Sequence, residues 1–363
     1  MHRKETRRIA IGNRFIGGGS PVLVQSMTNK PASEFEGTLH QIRTLAEAGC
    51  DIVRVTVPNR EAVRCLYRLK ENSSIPIVAD IHFDYRMAIE SVEAGADKIR
   101  INPGNLGERE NLLAVARACR DKGVPIRVGV NSGSVERDLL VKYNGPKPEA
   151  LCESALRQVA RLEEADFENI VVSVKSSDVP TMIATNRLLA ERCTYPLHLG
   201  VTEAGTYESG LVKSSVGIGS LLCDGIGDTI RVSLTTNDLT EEIRAARTIL
   251  SACGLMEKQI TFVSCPTCGR TKIDLVKIAS EIEERTRALK LTPARNVKVA
   301  VMGCVVNGPG EAKEADVGIA GGRSDALLFR HGHVVCKISE DRVIETLLEE
   351  IKKVVEETYH EGR

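Results

Sequence analysis

Short apolar, β-branched segments alternate with amphipathic segments over most of the chain. In residues 39–48 and 112–122, apolar positions recur at intervals of three and four, which is typical of helices that bury one face. Between such helices the sequence predicts eight strands, at 22–27, 51–57, 76–80, 98–102, 126–130, 170–175, 197–201 and 229–233. Eight strands separated by helical connections predict an α/β fold, a TIM (β/α)8 barrel spanning residues 1–256. No GxGxxG turn follows the first strand, which weakens the dinucleotide-binding alternative.

A short internal repeat supports the barrel. Residues 48–55 (Ala-Gly-Cys-Asp-Ile-Val-Arg-Val) return in similar form as residues 94–101 (Ala-Gly-Ala-Asp-Lys-Ile-Arg-Ile). Each copy predicts the end of a helix at a glycine, where a left-handed exit is favourable, followed by a strand that contains an arginine.

The pattern changes after Cys253. A charged helix is predicted at 273–290, and it is followed by strands at 296–302, 316–320 and 333–338 and a final amphipathic helix at 342–359. These elements predict a smaller α+β domain of residues 257–363 that follows the barrel without a long linker.

Composition narrows the class of protein. The 363 residues carry 49 Lys+Arg and 49 Asp+Glu, so the net charge is zero and no basic excess favours nucleic acid or an anionic membrane. No apolar run is long enough for a membrane helix, and the basic first residues are not followed by the apolar segment of a signal peptide. We therefore expect a cytoplasmic protein. Eleven cysteines argue against a disulfide framework, and six are expected to be buried free thiols: Cys50, Cys65, Cys119, Cys152, Cys193 and Cys223.

Five cationic residues lie in or at the ends of predicted barrel strands: Arg54, Arg100, Arg127, Lys175 and Arg231. Barrel strands are covered on both faces, and the ligands of such barrels bind at the C-terminal strand ends. Cations that converge there repel one another unless an anion is present, so we expect a phosphate or diphosphate ester as ligand. The alternative is that each cation pairs with a nearby acid, for which Asp51 and Asp97 are the candidates.

Polar residues suited to proton transfer or hydroxyl contacts occur at neighbouring strand ends. They are Asp80, His82, Asn102, Asn131, Thr202 and Glu203.

Three cysteines have the spacing of metal ligands. Cys265 and Cys268 are three positions apart, and Cys304 follows 36 residues later, before a glycine-rich turn. A structural zinc would take its fourth ligand from Cys253, Cys336, His331 or His333. A 4Fe–4S cluster would accept three thiolates and one other ligand, for which Glu311 is a candidate, and a redox dithiol would use only Cys265 and Cys268.

The motifs of the whole chain resemble those of the 4-hydroxy-3-methylbut-2-enyl diphosphate synthase family, in its compact bacterial form. The family acts in the methylerythritol phosphate route to isoprenoids. Gln25-Ser26-Met27-Thr28-Asn29 and Cys265-Pro266-Thr267-Cys268 are two of the motifs that carry the resemblance. The others lie at 79–86, 100–105, 127–131, 200–205, 225–233 and 303–311.

The resemblance implies an oxidoreductase that opens and reductively dehydroxylates 2-C-methyl-D-erythritol 2,4-cyclodiphosphate. Two electrons would come from ferredoxin or flavodoxin through a 4Fe–4S cluster held by Cys265, Cys268, Cys304 and a displaceable Glu311. Arg54, Arg100, Arg127 and Lys175 would bind the diphosphate, and Glu203 would donate a proton. Asp80, His82, Asn102, Asn131, Thr202, Arg231 and Ser233 would line the rest of the pocket. The resemblance also implies a homodimer in which the cluster domain of one chain faces the barrel of the other.

Two other hypotheses belong to different classes. One is a zinc-stabilised barrel lyase or aldolase that forms a Schiff base through Lys175. The other is a non-enzymatic iron–sulfur sensor or carrier whose barrel binds a regulator.

Overall fold

The structure is a computed structural model that describes residues 2–102, 105–304, 312–323 and 325–360. The chain divides into two compact units, Met1–Leu255 and Met256–Arg363. Within the described residues, no helix is long and apolar enough to cross a membrane.

The first unit contains eight parallel strands, as the sequence predicts. They are β3 (Leu23–Met27), β4 (Ile52–Thr56), β5 (Ile77–Asp80), β6 (Lys98–Ile101), β7 (Ile126–Asn131), β8 (Ile170–Lys175), β9 (His198–Leu199) and β10 (Thr229–Ile230). They pair in the order β8-β7-β6-β5-β4-β3-β10-β9. A parallel bridge between Val172 of β8 and Leu197, which immediately precedes β9, joins the two ends of this sheet. The predicted TIM barrel is confirmed.

A helix follows each barrel strand. These helices are α1 (Phe35–Glu47), α2 (Arg60–Asn72), α3 (Tyr85–Glu93), α4 (Arg109–Lys122), α6 (Pro148–Glu163), α7 (Val179–Arg192), α8 (Tyr207–Cys223) and α9 (Thr240–Ala252). A 3-10 turn, Ser132–Ser134, and a short additional helix, α5 (Arg137–Tyr143), lie between β7 and α6. The repeat noted in the sequence has the expected backbone, because Gly49 and Gly95 leave their helices with φ of 94° and 90°.

An N-terminal hairpin that the sequence analysis did not predict covers one end of the barrel. Its strands are β1 (Ile9–Ile11) and β2 (Arg14–Ile16), which pair antiparallel. Ile9, Ile11 and Ile16 form one buried cluster with side chains from the beginnings of four barrel strands: Leu23, Ile52, Val78 and Val171. The hairpin therefore covers the N-terminal strand ends.

The second unit is built on a five-stranded sheet of order β11-β12-β13-β14-β15. Its strands are β11 (Ile260–Ser264), β12 (Val297–Met302), β13 (Val317–Gly321), β14 (Asp325–Arg330) and β15 (His333–Ser339). The first three strands are parallel, and the last two pair antiparallel. Short 3-10 turns lie at Ala312–Glu314 and Glu340–Arg342, and the helices are α10 (Leu275–Ala288) and α11 (Val343–Glu357). The predicted α+β architecture is confirmed, although β11 and β14 were not predicted.

Candidate active site at the barrel mouth

A cavity of about 280 Å³ lies at the C-terminal ends of the barrel strands. Strand residues alternate between the two faces of the sheet, so residues two apart, such as Arg54 and Thr56 of β4, both line the interior. The cavity contains five cationic side chains, one carboxylate and a histidine. Its lining residues are Met27, Arg54, Thr56, Asp80, His82, Arg100, Arg127, Gly129, Asn131, Ser173, Lys175, Thr202, Arg231 and Ser233.

Asp80 is the carboxylate in this cavity, and it pairs with two arginines. Its Oδ1 accepts a 3.1 Å hydrogen bond from Arg100 Nη1, and its Oδ2 lies 3.3 Å from Arg54 Nε. Burial alone would raise the pKa of Asp80, but Arg54, Arg100 and Arg127 outweigh burial and hold that pKa below its usual value. Asp80 therefore remains ionised and neutralises part of the positive charge.

The two acids expected as partners for these arginines serve other groups. Asp51 Oδ2 accepts a 2.9 Å hydrogen bond from Val24 N, and Asp97 Oδ2 lies 2.6 Å from Lys70 Nζ. The alternative in which Asp51 and Asp97 neutralise Arg54 and Arg100 is therefore wrong. Asp80 was expected as a pocket residue and also has this pairing role.

Arg127 and Lys175 are the two basic side chains of the cavity for which the described residues provide no acid partner. Arg127 is only 2% exposed, and its Nε and Nη2 have no hydrogen-bond partner among the described residues. Lys175 is 8% exposed, and in the part of the chain that the structure describes no acid forms an ion pair with either side chain. Burial first, and the neighbouring cations second, hold the pKa of both groups well below the usual values. Donors without acceptors in a buried cavity indicate an anionic ligand.

Arg231 is oriented by a buried acid that the sequence analysis missed. Glu242, in the first turn of α9, is 3% exposed, and its Oε1 lies 3.8 Å from Arg231 Nη2. The same carboxylate accepts hydrogen bonds from Leu234 N at 3.0 Å and from Ser26 Oγ at 2.9 Å. Glu242 is therefore fixed by two donors and can hold Arg231 at the cavity wall.

A second group of polar residues is buried inside the barrel, outside the residues that line the cavity. Lys98 is fully buried and donates a 3.3 Å hydrogen bond to Gln25 Oε1. His198, also fully buried, is joined to Thr229 by a 2.8 Å hydrogen bond. The buried position of Lys98 could have been predicted from the sequence. Side chains alternate along a strand, so Lys98 lies on the same face as Arg100, two residues later.

The other expected pocket residues differ in their positions. Asn131, Thr202 and Ser233 line the cavity, as does His82, whose Nε2 lies 3.9 Å from Asp80 Oδ2. Asn102 is buried just beyond β6 but does not belong to the cavity lining.

Glu203, the expected proton donor, is exposed and also lies outside the lining residues. Its φ of 52° is a left-handed conformation that is uncommon for residues other than glycine.

Two of the three expected metal-binding cysteines follow neighbouring strands of the second unit's sheet. Parallel pairing sets Ser264 opposite Val301, so Cys265 and Cys304 both follow the C-terminal ends of adjacent strands. Cys265 Sγ accepts a 3.2 Å hydrogen bond from Gly303 N.

Cys268 lies in the exposed turn beyond, where hydrogen bonds from the Arg270 backbone and side chain lower its pKa. The described ranges contain no preassembled group of three metal ligands, and Glu311 lies outside them. Cys265 and Cys304 after adjacent strand ends, and Cys268 with its lowered pKa in the turn that follows Cys265, have the chemistry of ligands for a thiolate-bound group.

The zinc ligands considered within this unit lie elsewhere in its sheet. Cys336 and His333 are on β15, three strands from β12, which corresponds to roughly 14 Å at the usual strand spacing. His331 is beside Asp316, which precedes β13, and so lies at the opposite end of the parallel strands from Cys304. These positions disfavour a zinc site completed by these three residues.

Comparison with known proteins identifies the family. Residues 6–247 match the GcpE TIM-barrel domain, and residues 261–353 match the GcpE protein C-terminal domain. The chain is 55% identical over 355 residues to a protein of Caldanaerobacter subterraneus subsp. tengcongensis, which covers 98% of this chain and 99% of the relative. It is 54% identical over 354 residues to a protein of Clostridium perfringens, and this match covers 98% of this chain and 100% of the relative. Both are named 4-hydroxy-3-methylbut-2-en-1-yl diphosphate synthase (flavodoxin).

Solved structures with a similar fold have much lower sequence identity to this chain. A dihydropteroate synthase from Stenotrophomonas maltophilia has a TM-score of 0.51 and 16% identity, and covers 68% of this chain and 98% of its own. That likeness concerns the fold alone. The two domain matches and the full-length relatives confirm the resemblance seen in the motifs: this chain belongs to the GcpE family of 4-hydroxy-3-methylbut-2-en-1-yl diphosphate synthases.

Proposed function

We propose that the barrel cavity binds 2-C-methyl-D-erythritol 2,4-cyclodiphosphate and that the protein converts it to 4-hydroxy-3-methylbut-2-enyl diphosphate. The reaction opens the ring and removes a hydroxyl group with two electrons. The observation that carries this proposal is the charge of the cavity, which contains five cationic side chains and one carboxylate. A diphosphate supplies the missing negative charge, and guanidinium groups bind phosphate oxygens in pairs.

Arg54, Arg100, Arg127 and Lys175 are the proposed diphosphate ligands. Arg127 and Lys175 contribute most, because neither has an acid partner among the described residues, whereas Arg54 and Arg100 share Asp80. Fixing both phosphates orients the ring and its carbon–oxygen bonds before any electron arrives.

The neutral and acidic residues of the site have proposed roles around the ring. Asn131, Thr202 and Ser233 offer hydrogen bonds to the substrate's hydroxyl groups, and Arg231 extends the cationic wall. His82, whose Nε2 lies 3.9 Å from Asp80 Oδ2, is proposed together with Asp80 for proton transfer at the ring. Asn102 and Glu203 are proposed from the family resemblance, with Glu203 as proton donor.

Enzymes of this family carry a 4Fe–4S cluster. We assign Cys265, Cys268 and Cys304 as its protein thiolates and Glu311 as the fourth, displaceable ligand. When bound, the cluster supplies electrons one at a time and a Lewis-acidic iron for the departing oxygen. Gly303 N donates a hydrogen bond to Cys265 Sγ and would help to orient that ligand.

Flavodoxin is the proposed electron donor, because the names of the full-length relatives give flavodoxin in parentheses after the enzyme name. Ferredoxin is the alternative. We also propose a homodimer in which the cluster domain of one chain faces the barrel of its partner, as the family resemblance implies.

Turnover by the anaerobically prepared holoprotein tests the proposal directly. With reduced flavodoxin and the cyclodiphosphate, we expect stoichiometric formation of the linear allylic diphosphate. Replacing Glu311 with Ala should leave the protein folded and abolish most turnover. Failure of the cluster-loaded protein to consume the cyclodiphosphate with either reduced donor would contradict the proposed function.

A further inference from the structure

Two cysteines of the first unit lie side by side at the ends of neighbouring helices. Cys223 is the last residue of α8, and Cys253 is the C-terminal cap of α9. Their sulfur atoms are 3.9 Å apart, and Cys253 Sγ is also 3.8 Å from Gly219 O. Neither belongs to the cavity lining or to the proposed cluster ligands, so the proposed reaction does not use this pair.

The pair is accessible, unlike three other thiols of the barrel. Cys50, Cys119 and Cys152 are buried, whereas Cys253 is half-buried and Cys223 is exposed. The expectation that Cys223 is buried is therefore wrong, because the last turn of α8 reaches the surface. A disulfide requires about 2.05 Å between sulfurs, so the two atoms need to approach by roughly 2 Å.

We propose that Cys223 and Cys253 form an oxidisable dithiol that closes to an intramolecular disulfide when it meets a low-molecular-weight disulfide such as oxidised glutathione. In the first step the Cys223 thiolate attacks one sulfur of the reagent, whose S–S bond breaks and releases one thiol. In the second step the Cys253 thiolate attacks Cys223 Sγ and releases the other thiol. The protein loses two electrons and two protons, and the reagent gains them as two thiols.

The order of the two steps follows from the surroundings of each sulfur. Cys223 is the exposed member and so meets the reagent first. Burial, and then the hydrogen bond and charge of Cys223, raise the pKa of Cys253 to about 11. Once Cys223 is in the mixed disulfide, its thiol hydrogen bond and charge are gone, so Cys253 ionises more readily and can complete the exchange.

The disulfide would enclose a part of the chain that reaches the active site. Residues 223–253 include β10, the cavity residue Arg231 and its buried partner Glu242. A reversible covalent link across the ends of α8 and α9 would thus restrict the elements that hold Arg231 without using any cavity residue.

Peptide mapping of the oxidised holoprotein tests the proposal. The protein is incubated with oxidised glutathione, free thiols are blocked with N-ethylmaleimide, and trypsin digestion is carried out without reductant. Cys223 and Cys253 are the only cysteines of the tryptic peptides 214–231 and 248–258. We expect these two peptides to appear linked, at the sum of their masses less two hydrogens.

Cys336 provides an internal control, because it is exposed and lies alone in the tryptic peptide 331–337. It should carry glutathione as a stable adduct. In a Cys253→Ser variant, Cys223 should likewise retain glutathione, and in Cys223→Ser the half-buried Cys253 should remain unmodified. The proposal is overturned if, where Cys336 is fully modified, Cys223 and Cys253 of the unsubstituted protein stay free or carry separate adducts.

Discussion

Asp80 Oδ1 accepts a 3.1 Å hydrogen bond from Arg100 Nη1 inside a cavity where cations outnumber acids. The pairing neutralises Arg100 in part and leaves the carboxylate's second oxygen beside Arg54. Asp80 therefore holds two arginines in place while the diphosphate is absent. The single negative charge of Asp80 is too small to balance the five basic side chains as a ligand with two phosphates would.

Replacing Asp80 with Asn should destabilise the ligand-free protein. The substitution preserves shape but leaves two largely buried guanidinium groups without an anion, which costs about 3–5 kcal/mol. Thermal unfolding should begin roughly 10 °C lower, and pyrophosphate should restore part of the loss by replacing the missing charge.

The exposed pair of Asp138 and Arg157 provides the matched control. Asp138→Asn should change stability by less than about 1 kcal/mol. Because the pKa of folded Asp80 is below its unfolded value, its contribution is present above about pH 4 and disappears as the pH falls through the folded pKa. A Tm of Asp80→Asn equal to that of the unsubstituted protein at neutral pH would show that Asp80 does not hold the arginines.

Arg127→Met should have opposite effects on stability and on binding. The guanidinium is buried with two unpaired nitrogens, so an apolar side chain of similar length should leave the ligand-free protein as stable or more stable. Binding of the cyclodiphosphate should weaken about 10- to 100-fold, because one charge-assisted contact is lost. Calorimetry and thermal unfolding measure the two effects.

Arg60→Met is the control for this prediction, because Arg60 is exposed and pairs with Glu90 on the outer surface. Arg60→Met should change neither the stability of the ligand-free protein nor its affinity for the cyclodiphosphate by much. If Arg127→Met unfolds the barrel while the cyclodiphosphate binds as before, Arg127 is a structural residue and not a ligand of the diphosphate.

The strand-end cations illustrate what the sequence could predict. Arg54, Arg100, Arg127, Lys175 and Arg231 lie in or just after five different strands, and a closed parallel barrel brings the inward-facing residues of its strands into one interior. Alternation along each strand then determines which residues face inward. The cationic cavity could therefore be predicted once the barrel was predicted.

The contacts of Glu242 and Asp80 could not be predicted in this way. Glu242 lies on a helix after the last strand, and only the packing of α9 against the barrel brings its carboxylate to Ser26 and Arg231. Likewise, Asp51 and Asp97 are closer in sequence to Arg54 and Arg100 than Asp80 is, yet lateral strand pairing selects Asp80. Contacts across strands depend on register, which local patterns do not specify.

Binding of the cyclodiphosphate should be accompanied by proton uptake through Lys175. Burial and four neighbouring arginines lower its pKa well below the usual value, and a bound anion opposes both effects. The pKa therefore rises on binding, so affinity should fall as the pH rises through the pKa of Lys175. Calorimetry in buffers of different ionisation enthalpy measures the protons taken up.

Lys175→Met should abolish most of this uptake, whereas Lys142→Met should not, because Lys142 is exposed and paired with Glu153. Equal proton uptake by Lys175→Met and by the unsubstituted protein would show that a group other than Lys175 takes up the proton on binding.

Glu242→Gln should impair catalysis through Arg231. The amide keeps one acceptor oxygen for Leu234 N or Ser26 Oγ but loses the charge that attracts Arg231. We expect KM to rise several-fold with a smaller change in kcat. A double-mutant cycle with Arg231→Met distinguishes positioning from general loss of structure, because the effect of Glu242→Gln should nearly vanish when Arg231 is absent. Additive effects would count against the positioning role.

Cys268→Ser should lower iron content while the barrel stays folded. Cys268 lies in an exposed turn of the second unit, and Arg270 lowers its pKa, so it is suited to act as a thiolate ligand and contributes little to packing. Cys336→Ser is the matched control, because Cys336 is equally an exposed cysteine of this unit but lies on β15. Iron analysis and visible absorption of anaerobically prepared protein should show loss in Cys268→Ser and retention in Cys336→Ser. Equal iron in both variants, or stoichiometric zinc in the unsubstituted protein, would contradict the assignment of Cys268 as a cluster ligand.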